Sequence, residues 1–266
     1  MKKLLIVFLL LAMVLPAYCE IVDVTIYVDD AYKPFSFKGK NGAAEGIYIN
    51  VLKTAFSRMK NYNVTMRPIP WKRGKHLMET GEGFGLAPAF FHGHDWPYLH
   101  PYSLAFYKET ITAVCNEKVL ETQRYNWPED YIGLRIGNVS GYDGWGGAEF
   151  RKLVKEKKIH YQEAKGSAEN ILKLGAGRVQ CIMMEDTAFD YAFAKLKLSG
   201  KYTDKMARIK KGAIIGVDPV YIGYSRTARE KGTFPFQFDF MQAFDSEIYK
   251  MIKSGEIKKI MGDYRN

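Results

Sequence analysis

Three histidines and an aspartate lie within a short stretch of the chain and could bind a metal ion. His92 and His94 are one residue apart, so both imidazoles of an extended segment can reach one metal, and Asp95 and His100 follow closely. Glycine-flanked histidines at a protein surface are commoner, and we therefore expect no metal here. A metal-binding uptake protein stays open as an alternative.

Two adjacent acids, Glu185 and Asp186, follow a buried, strand-like run and precede a helical pattern that begins at Thr187. Carboxylates at this position can cap a helix. In an enclosed cleft they can instead bind an amine or transfer a proton. Because no nucleophile with an adjacent base is visible, we expect neither an enzyme, nor catalytic residues, nor a cofactor.

Strand-like and helix-like segments alternate along the chain, which predicts an α/β architecture. Strands are predicted at 22–28, 64–69, 110–115, 134–139, 179–184 and 220–224, and helices at 46–59, 71–80, around 150–154, and at 167–174, 187–196 and 240–261.

The first 19 residues are typical of a secretory signal peptide. Lys2 and Lys3 precede an apolar run that is too short to span a bilayer, and Pro16 ends it. We expect cleavage after Cys19, which gives a soluble mature protein beginning at Glu20. A lipid anchor on Cys19 is the alternative.

Removing Lys2 and Lys3 lowers the formal net charge from +10 to +8. The excess is spread along the chain without a continuous basic stripe, so we expect no nucleic-acid partner. Export permits a disulfide between Cys115 and Cys181, and two buried thiols fit the sequence equally well.

Several short motifs together resemble the extracellular solute-binding proteins of family 3, which serve ATP-driven (ABC) uptake systems. They follow in the family's order over nearly the whole mature chain: Tyr32-Lys33-Pro34-Phe35-Ser36-Phe37, Gly46-Ile47-Tyr48-Ile49-Asn50, Pro70-Trp71, Pro101-Tyr102, 134–141, 174–185 and Gly255-Glu256-Ile257 with Ile260 and Tyr264.

The resemblance implies a type II periplasmic-binding-protein fold, in which two α/β lobes are joined by two crossing hinge strands. Lobe one would comprise 20–107 and 220–266, and lobe two 108–219, with hinges near 105–108 and 216–219. It also implies a periplasmic monomer that binds a small molecule and meets the membrane permease of an ABC transporter. The hinge strands would let the lobes close around the ligand.

The resemblance also implies which residues meet the ligand. Tyr32 and Trp71 match aromatic residues on opposite walls of the cleft, and Asp29 matches an acid that contacts amines. In lobe two the turn at 139–143 offers backbone N–H groups to an anionic group. Its Tyr142 and Asp143, together with Glu185 and Asp186, complete the predicted ligand contacts of that lobe.

One departure from the family narrows the chemical class of ligand that we expect. The family's amino-acid binders hold the α-carboxylate with an arginine and a hydroxyl-rich loop, whereas 88–96 has neither, and Trp96 stands at the arginine position. We expect Ala89, Phe91 and Trp96 to face the ligand. An aromatic and acidic pocket suits an amine, a quaternary ammonium or an aromatic compound, although Arg73 or a histidine could still bind a carboxylate.

Two other functions are compatible with this fold. Some relatives are dehydratases, so a dehydratase-like enzyme is one alternative. A sensor domain is the other, and we consider it less favoured because no kinase or membrane span is visible in the mature chain.

Overall fold

The computed structural model describes residues 21–93 and 95–262. The predicted signal peptide and its cleavage site lie outside the described residues. The strands are β1 (Val22–Asp29), β2 (Ala31–Tyr32), β3 (Ser36–Lys38), β4 (Ala44–Glu45), β5 (Tyr62–Ile69), β6 (Gly85–Ala89), β7 (Leu99–Tyr102), β8 (Tyr107–Asn116), β9 (Arg135–Val139), β10 (His160–Ala164), β11 (Cys181–Glu185) and β12 (Ile209–Ser225).

Helices cover the sheet and connect most of the strands. They are α1 (Ile47–Phe56), α2 (Trp71–Thr80), α3 (Gly147–Lys155), α4 (Ser167–Gly175), α5 (Asp186–Leu198), α6 (Arg226–Glu230), α7 (Gln237–Lys253) and α8 (Glu256–Gly262), with short 3₁₀ helices at Glu117–Glu121 and Glu129–Tyr131. None of the helices in the described part of the chain has the length and apolar character that crossing a membrane requires.

The large sheet consists of two halves that share two long antiparallel strands. Its order is β10-β9-β11-β8-β12-β6-β1-β5, and β7 also pairs with β12. We call the half with β1, β5, β6 and β7 the first lobe, and the half with β9, β10 and β11 the second lobe. Strands β8 and β12 pair with each other and connect the two lobes. The predicted two-lobed α/β fold with two crossing strands is confirmed, and the lobe boundaries stay a prediction.

Local sequence explains where the elements near the cleft begin and end. Helix α2 starts directly after Pro70, whose missing N–H is not needed in the first turn, and it ends at Gly81 in the left-handed region. Helix α1 follows Gly46 at φ 126°, where a Cβ would lie 2.3 Å from the carbonyl oxygen of Phe35. Only glycine permits this close approach.

Several strands differ from the sequence-based prediction, and the short strands β2, β3, β4 and β7 were not predicted. Strand β12 begins at Ile209 rather than near 220, because its lysine- and glycine-rich first half pairs with β8. Strand β6 carries Pro88 and was not predicted, although all of its residues are buried. Strand β10 is polar and pairs only with β9, at the edge of the sheet.

The two cysteines within the described residues form a disulfide. Cys115 on β8 and Cys181 on β11 are directly opposite each other in the antiparallel ladder, with an S–S distance of 2.01 Å, and both are fully buried. The disulfide therefore links a connecting strand to the strand that ends at Glu185.

Candidate functional site

The end of β1 positions the first acidic group. Asp29 is the last residue of β1, and its Oδ1 accepts a hydrogen bond from the backbone N–H of Ala31 at 2.8 Å. This local bond turns the chain directly after the strand. Ser36 donates its hydroxyl to the Asp29 carbonyl oxygen at 2.7 Å, which holds the following hairpin and Tyr32 in place.

Two tryptophans form another wall of the first lobe. Trp71 opens α2, and Trp96 lies in the segment between β6 and β7. Their ring centroids are 6.3 Å apart in an edge-on arrangement, and both side chains are buried.

The turn after β9 brings two further rings from the second lobe. The buried Asn138 holds this turn, since its Nδ2 donates to the carbonyl oxygen of Tyr142 at 2.6 Å. Gly141 has φ 88°, and an added Cβ would lie 2.8 Å from Lys72 of the first lobe. The glycine therefore allows the lobes to approach closely and places Tyr142 and Trp145 against the first lobe.

These elements enclose one small aromatic cavity between the lobes. Its volume is about 20 Å³, roughly the space that one water molecule needs. The lining residues are Asp29, Tyr32, Trp71, Pro88, Phe90, Trp96, Tyr142, Gly144 and Trp145. A larger solute therefore requires the rings to move apart before it can enter.

The carboxyl group of Asp29 is the acidic group of this cavity. It is 3% exposed, and the Tyr142 hydroxyl donates to its Oδ2 at 2.7 Å. Burial raises the pKa of Asp29 to about 7, although the hydrogen bond from Tyr142 opposes the shift. A cation in the cavity would favour the ionised carboxylate.

A second buried acidic group lies next to Tyr32. The hydroxyls of Tyr32 and Tyr48 donate to the two carboxyl oxygens of Glu109, each at 2.6 Å. Burial raises the pKa of Glu109, and the nearby Glu185 raises it further. The ladder explains this proximity, because Glu185 pairs with Ile111 and alternate residues of β8 share one face.

Several ion pairs hold the lobes together around the cavity. Lys75 Nζ, on α2, donates to the carbonyl oxygen of Gly141 at 3.0 Å and to Asp143 Oδ1 at 2.5 Å. Lys72 and Glu163 form a second ion pair at 3.0 Å. The structure is therefore a closed arrangement of the two lobes.

The turn at 139–143, predicted to receive an anionic group, holds a carboxylate of the chain itself. Ser140 donates its hydroxyl to Glu163 Oε2 at 2.8 Å, and the Gly141 N–H donates to Glu163 Oε1 at 3.5 Å. Glu163 therefore occupies the donors that a ligand carboxylate would need.

The structure brings part of the predicted ligand contacts together. Asp29, Tyr32, Trp71, Trp96 and Tyr142 all line the cavity. Whether they contact a ligand stays a prediction.

The other predicted contacts lie elsewhere in the structure. Ala89 is buried in β6, and Phe91 is 62% exposed with its ring against Tyr102. Asp143 pairs with Lys75, and Asp186 pairs with Lys211 at 3.5 Å.

Glu185 caps α5, since its Oε2 accepts from the Ala188 N–H at 2.6 Å. Its side chain also lines a wide cleft next to β8, on the side of Lys108 and Tyr191. Burial raises the pKa of Glu185 to about 7.

Sequence reasoning missed Phe90, Trp145 and Glu109. Phe90 lies within 88–96, the stretch that lacks the family's arginine. Trp145 lies two residues after the turn at 139–143. Glu109 gave one signal, a glutamate directly before the strand-like run at 110–115.

Of the three histidines that suggested a metal, the structure describes His92 and His100. His92 is buried with its ring 4.5 Å from that of Trp96, and His100 is exposed on β7. His94 lies outside the described residues. Within 21–93 and 95–262, no three potential metal-binding side chains lie close enough together to bind an ion.

Solved structures with this fold are periplasmic binding proteins and their relatives. An arginine transport system periplasmic binding protein from Legionella pneumophila superimposes with a TM-score of 0.66 at 16% identity, covering 91% of this chain and 99% of that one. An ancestral amino acid-binding protein, a precursor of cyclohexadienyl dehydratase, gives 0.64 at 17% identity, covering 91% and 94%.

A histidine kinase sensor domain with similarity to periplasmic binding proteins gives 0.68 at 13% identity, covering 91% and 95%. No protein-family model and no curated protein matches the chain. At these identities the likeness shows the two-lobed periplasmic-binding-protein fold.

Proposed function

We propose that this protein is a periplasmic solute-binding protein whose lobes close around a small organic cation and deliver it to the permease of an ABC uptake transporter. The observation that carries the proposal is the Asp29 carboxyl group, which is buried in an aromatic cavity and bonded by Tyr142 of the opposite lobe. A cation removed from water needs a carboxylate, and dry aromatic walls strengthen the pairing.

The surroundings of the cavity favour a cation over an α-amino acid. Trp96 stands where the family's carboxylate-binding arginine is expected, and Glu163 fills the donors of the second-lobe turn. Lys75, whose Nζ lies 4.8 Å from the centroid of a Trp96 ring, is already paired with Asp143. A ligand carboxylate would therefore lack a positively charged partner among the residues that line the cavity.

The transport role rests on the sequence resemblance and on the fold. The Legionella protein of the same fold belongs to an arginine transport system, and the signal-peptide pattern fits export. In this role the protein works as a monomer.

A thermal-shift screen tests this proposal. Matched sets of organic cations, α-amino acids, organic anions and divalent metals are added to the secreted protein at pH 8. A ligand at 100 times its dissociation constant stabilises the folded state by about 2.7 kcal/mol. We expect the melting temperature to rise with a cation, and a response to amino acids or anions alone would contradict the proposal.

A dehydratase-like enzyme is the second candidate, and Glu109 favours it. Burial raises the pKa of this carboxyl group, which is the direction that a general acid requires. NMR spectra of a stabilising solute, recorded before and after prolonged incubation with the protein, distinguish the two functions. A binding protein returns the solute unchanged, whereas an enzyme converts it.

A further inference from the structure

Aromatic rings form almost the whole wall of the cavity around Asp29. Neighbouring rings contact one another edge-on, with centroids 5.6 Å apart for Tyr32 and Tyr142 and 5.1 Å for Tyr142 and Trp145. The six rings are those of Tyr32, Trp71, Phe90, Trp96, Tyr142 and Trp145. A cation at the centre would therefore have aromatic rings around it in most directions and a carboxylate in one.

This wall offers few acceptors to the N–H groups of a primary amine. Each oxygen of Asp29 already accepts one hydrogen bond, from the Ala31 N–H and from the Tyr142 hydroxyl, which leaves about one further acceptor site on each oxygen. The Tyr32 hydroxyl is directed to Glu109. The indole N–H groups of the tryptophans are donors only, and the phenylalanine ring has no polar atom.

A primary ammonium carries three N–H groups, and each one that stays unpaired in a buried site weakens binding. A quaternary ammonium carries none, because methyl groups replace its hydrogens. It keeps the positive charge that pairs with Asp29, and its methyl groups pack against the rings. The same wall that penalises a primary amine therefore favours a methylated one.

We propose that the solute carries a quaternary, trimethylated ammonium group and that the six rings with Asp29 select it over primary amines. This inference rests on the proposed cation-binding function and specifies the chemical class of the ligand. Because Tyr142 and Trp145 belong to the second lobe, the cage is complete only when the lobes close. At about 20 Å³ the closed cavity is too small for such a group, so its rings must separate to admit it.

A methylation series tests this selection. The four ligands are 2-aminoethanol and its N-methyl, N,N-dimethyl and N,N,N-trimethyl derivatives, each with one positive charge at pH 7.5. Calorimetry should show affinity rising along the series, with the trimethylated member at least tenfold tighter than the primary amine. In Trp145→Leu this ratio should fall to less than threefold, whereas Trp145→Phe, which keeps a ring, should retain most of it.

Two results would overturn the inference. The first is a primary amine that binds as tightly as the trimethylated member. If Asp29→Asn abolishes binding of that amine, the proposed cation-binding function still holds, although the selection for methylated ligands does not. The second is no binding by any member of the series. Whether the protein then binds a different cation is decided by the cation screen described above, so the two failures are distinguishable.

Discussion

The hydroxyl of Tyr142 donates a hydrogen bond to Oδ2 of Asp29 at 2.7 Å, and the two residues come from opposite lobes. Asp29 ends the first strand of the first lobe, and Tyr142 lies in the turn after β9 of the second lobe. This bond connects the acidic group of the proposed binding site to the closed arrangement of the molecule.

Removing this hydrogen bond should shift the protein towards an open form. Tyr142→Phe keeps the ring but loses the donor to a buried carboxyl group, which costs roughly 1–2 kcal/mol. We expect the ratio of closed to open molecules to fall about tenfold, and small-angle X-ray scattering of the ligand-free protein should show a larger radius of gyration.

Tyr161→Phe is the matched control, because Tyr161 lies on β10 and does not line the cavity. Its radius of gyration should equal that of the original protein. If Tyr142→Phe also scatters identically, the bond to Asp29 does not hold the lobes together.

Cation binding should depend on pH through Asp29. Burial raises the pKa of this carboxyl group to about 7 in the ligand-free structure, and a bound cation lowers the pKa by stabilising the ionised form. Binding therefore releases a proton below pH 7, and affinity should fall by up to about tenfold per pH unit under that value. Above pH 8 the affinity should be constant.

Calorimetry of the same cation in two buffers with different ionisation enthalpies measures this proton release directly. At pH 6 the observed enthalpies should differ between the buffers, and at pH 8.5 they should agree. Equal enthalpies at pH 6, together with a pH-independent affinity, would show that Asp29 is already ionised before the cation binds.

The resemblance to a known family predicted the architecture, and the ligand contacts that it implied for lobe two stay a prediction. The Pro70–Trp71 start of α2 and the buried run of β11 could be read directly, because a proline, a glycine stop and an apolar strand each leave a local pattern. The cap made by Glu185 was among the alternatives that the residue order allowed.

Contacts between distant residues left no such pattern. The pairing of Tyr32 and Tyr48 with Glu109 joins residues 77 and 61 positions apart in sequence. Glu163 fills the turn at 139–143 only because β10 pairs in register with β9. These relationships depend on strand register and lobe closure, which a single sequence does not specify.

Loss of the disulfide should reduce stability with little effect on binding. Cys115 and Cys181 are separated by 66 positions, and a crosslink of this span stabilises a fold by about 2–5 kcal/mol. We expect urea unfolding of the Cys115→Ala, Cys181→Ala double variant to show a loss in this range.

Neither sulfur lines the cavity, so the affinity of the double variant for the cation should change by less than about threefold. A single Cys115→Ala variant should lose similar stability. An unchanged free energy of unfolding in both variants would mean that the disulfide is absent from the protein in solution.

Calorimetry on Asp29→Asn, with Asp30→Asn as its matched control, tests most directly whether Asp29 binds the positive group of a small organic cation. The two substitutions are chemically identical and adjacent, but only Asp29 lines the cavity. We predict that Asp29→Asn weakens binding of the cation identified in the screen at least 30-fold, about 2 kcal/mol or more. Asp30→Asn should change it less than threefold. Equal, small effects of the two substitutions would contradict the claim.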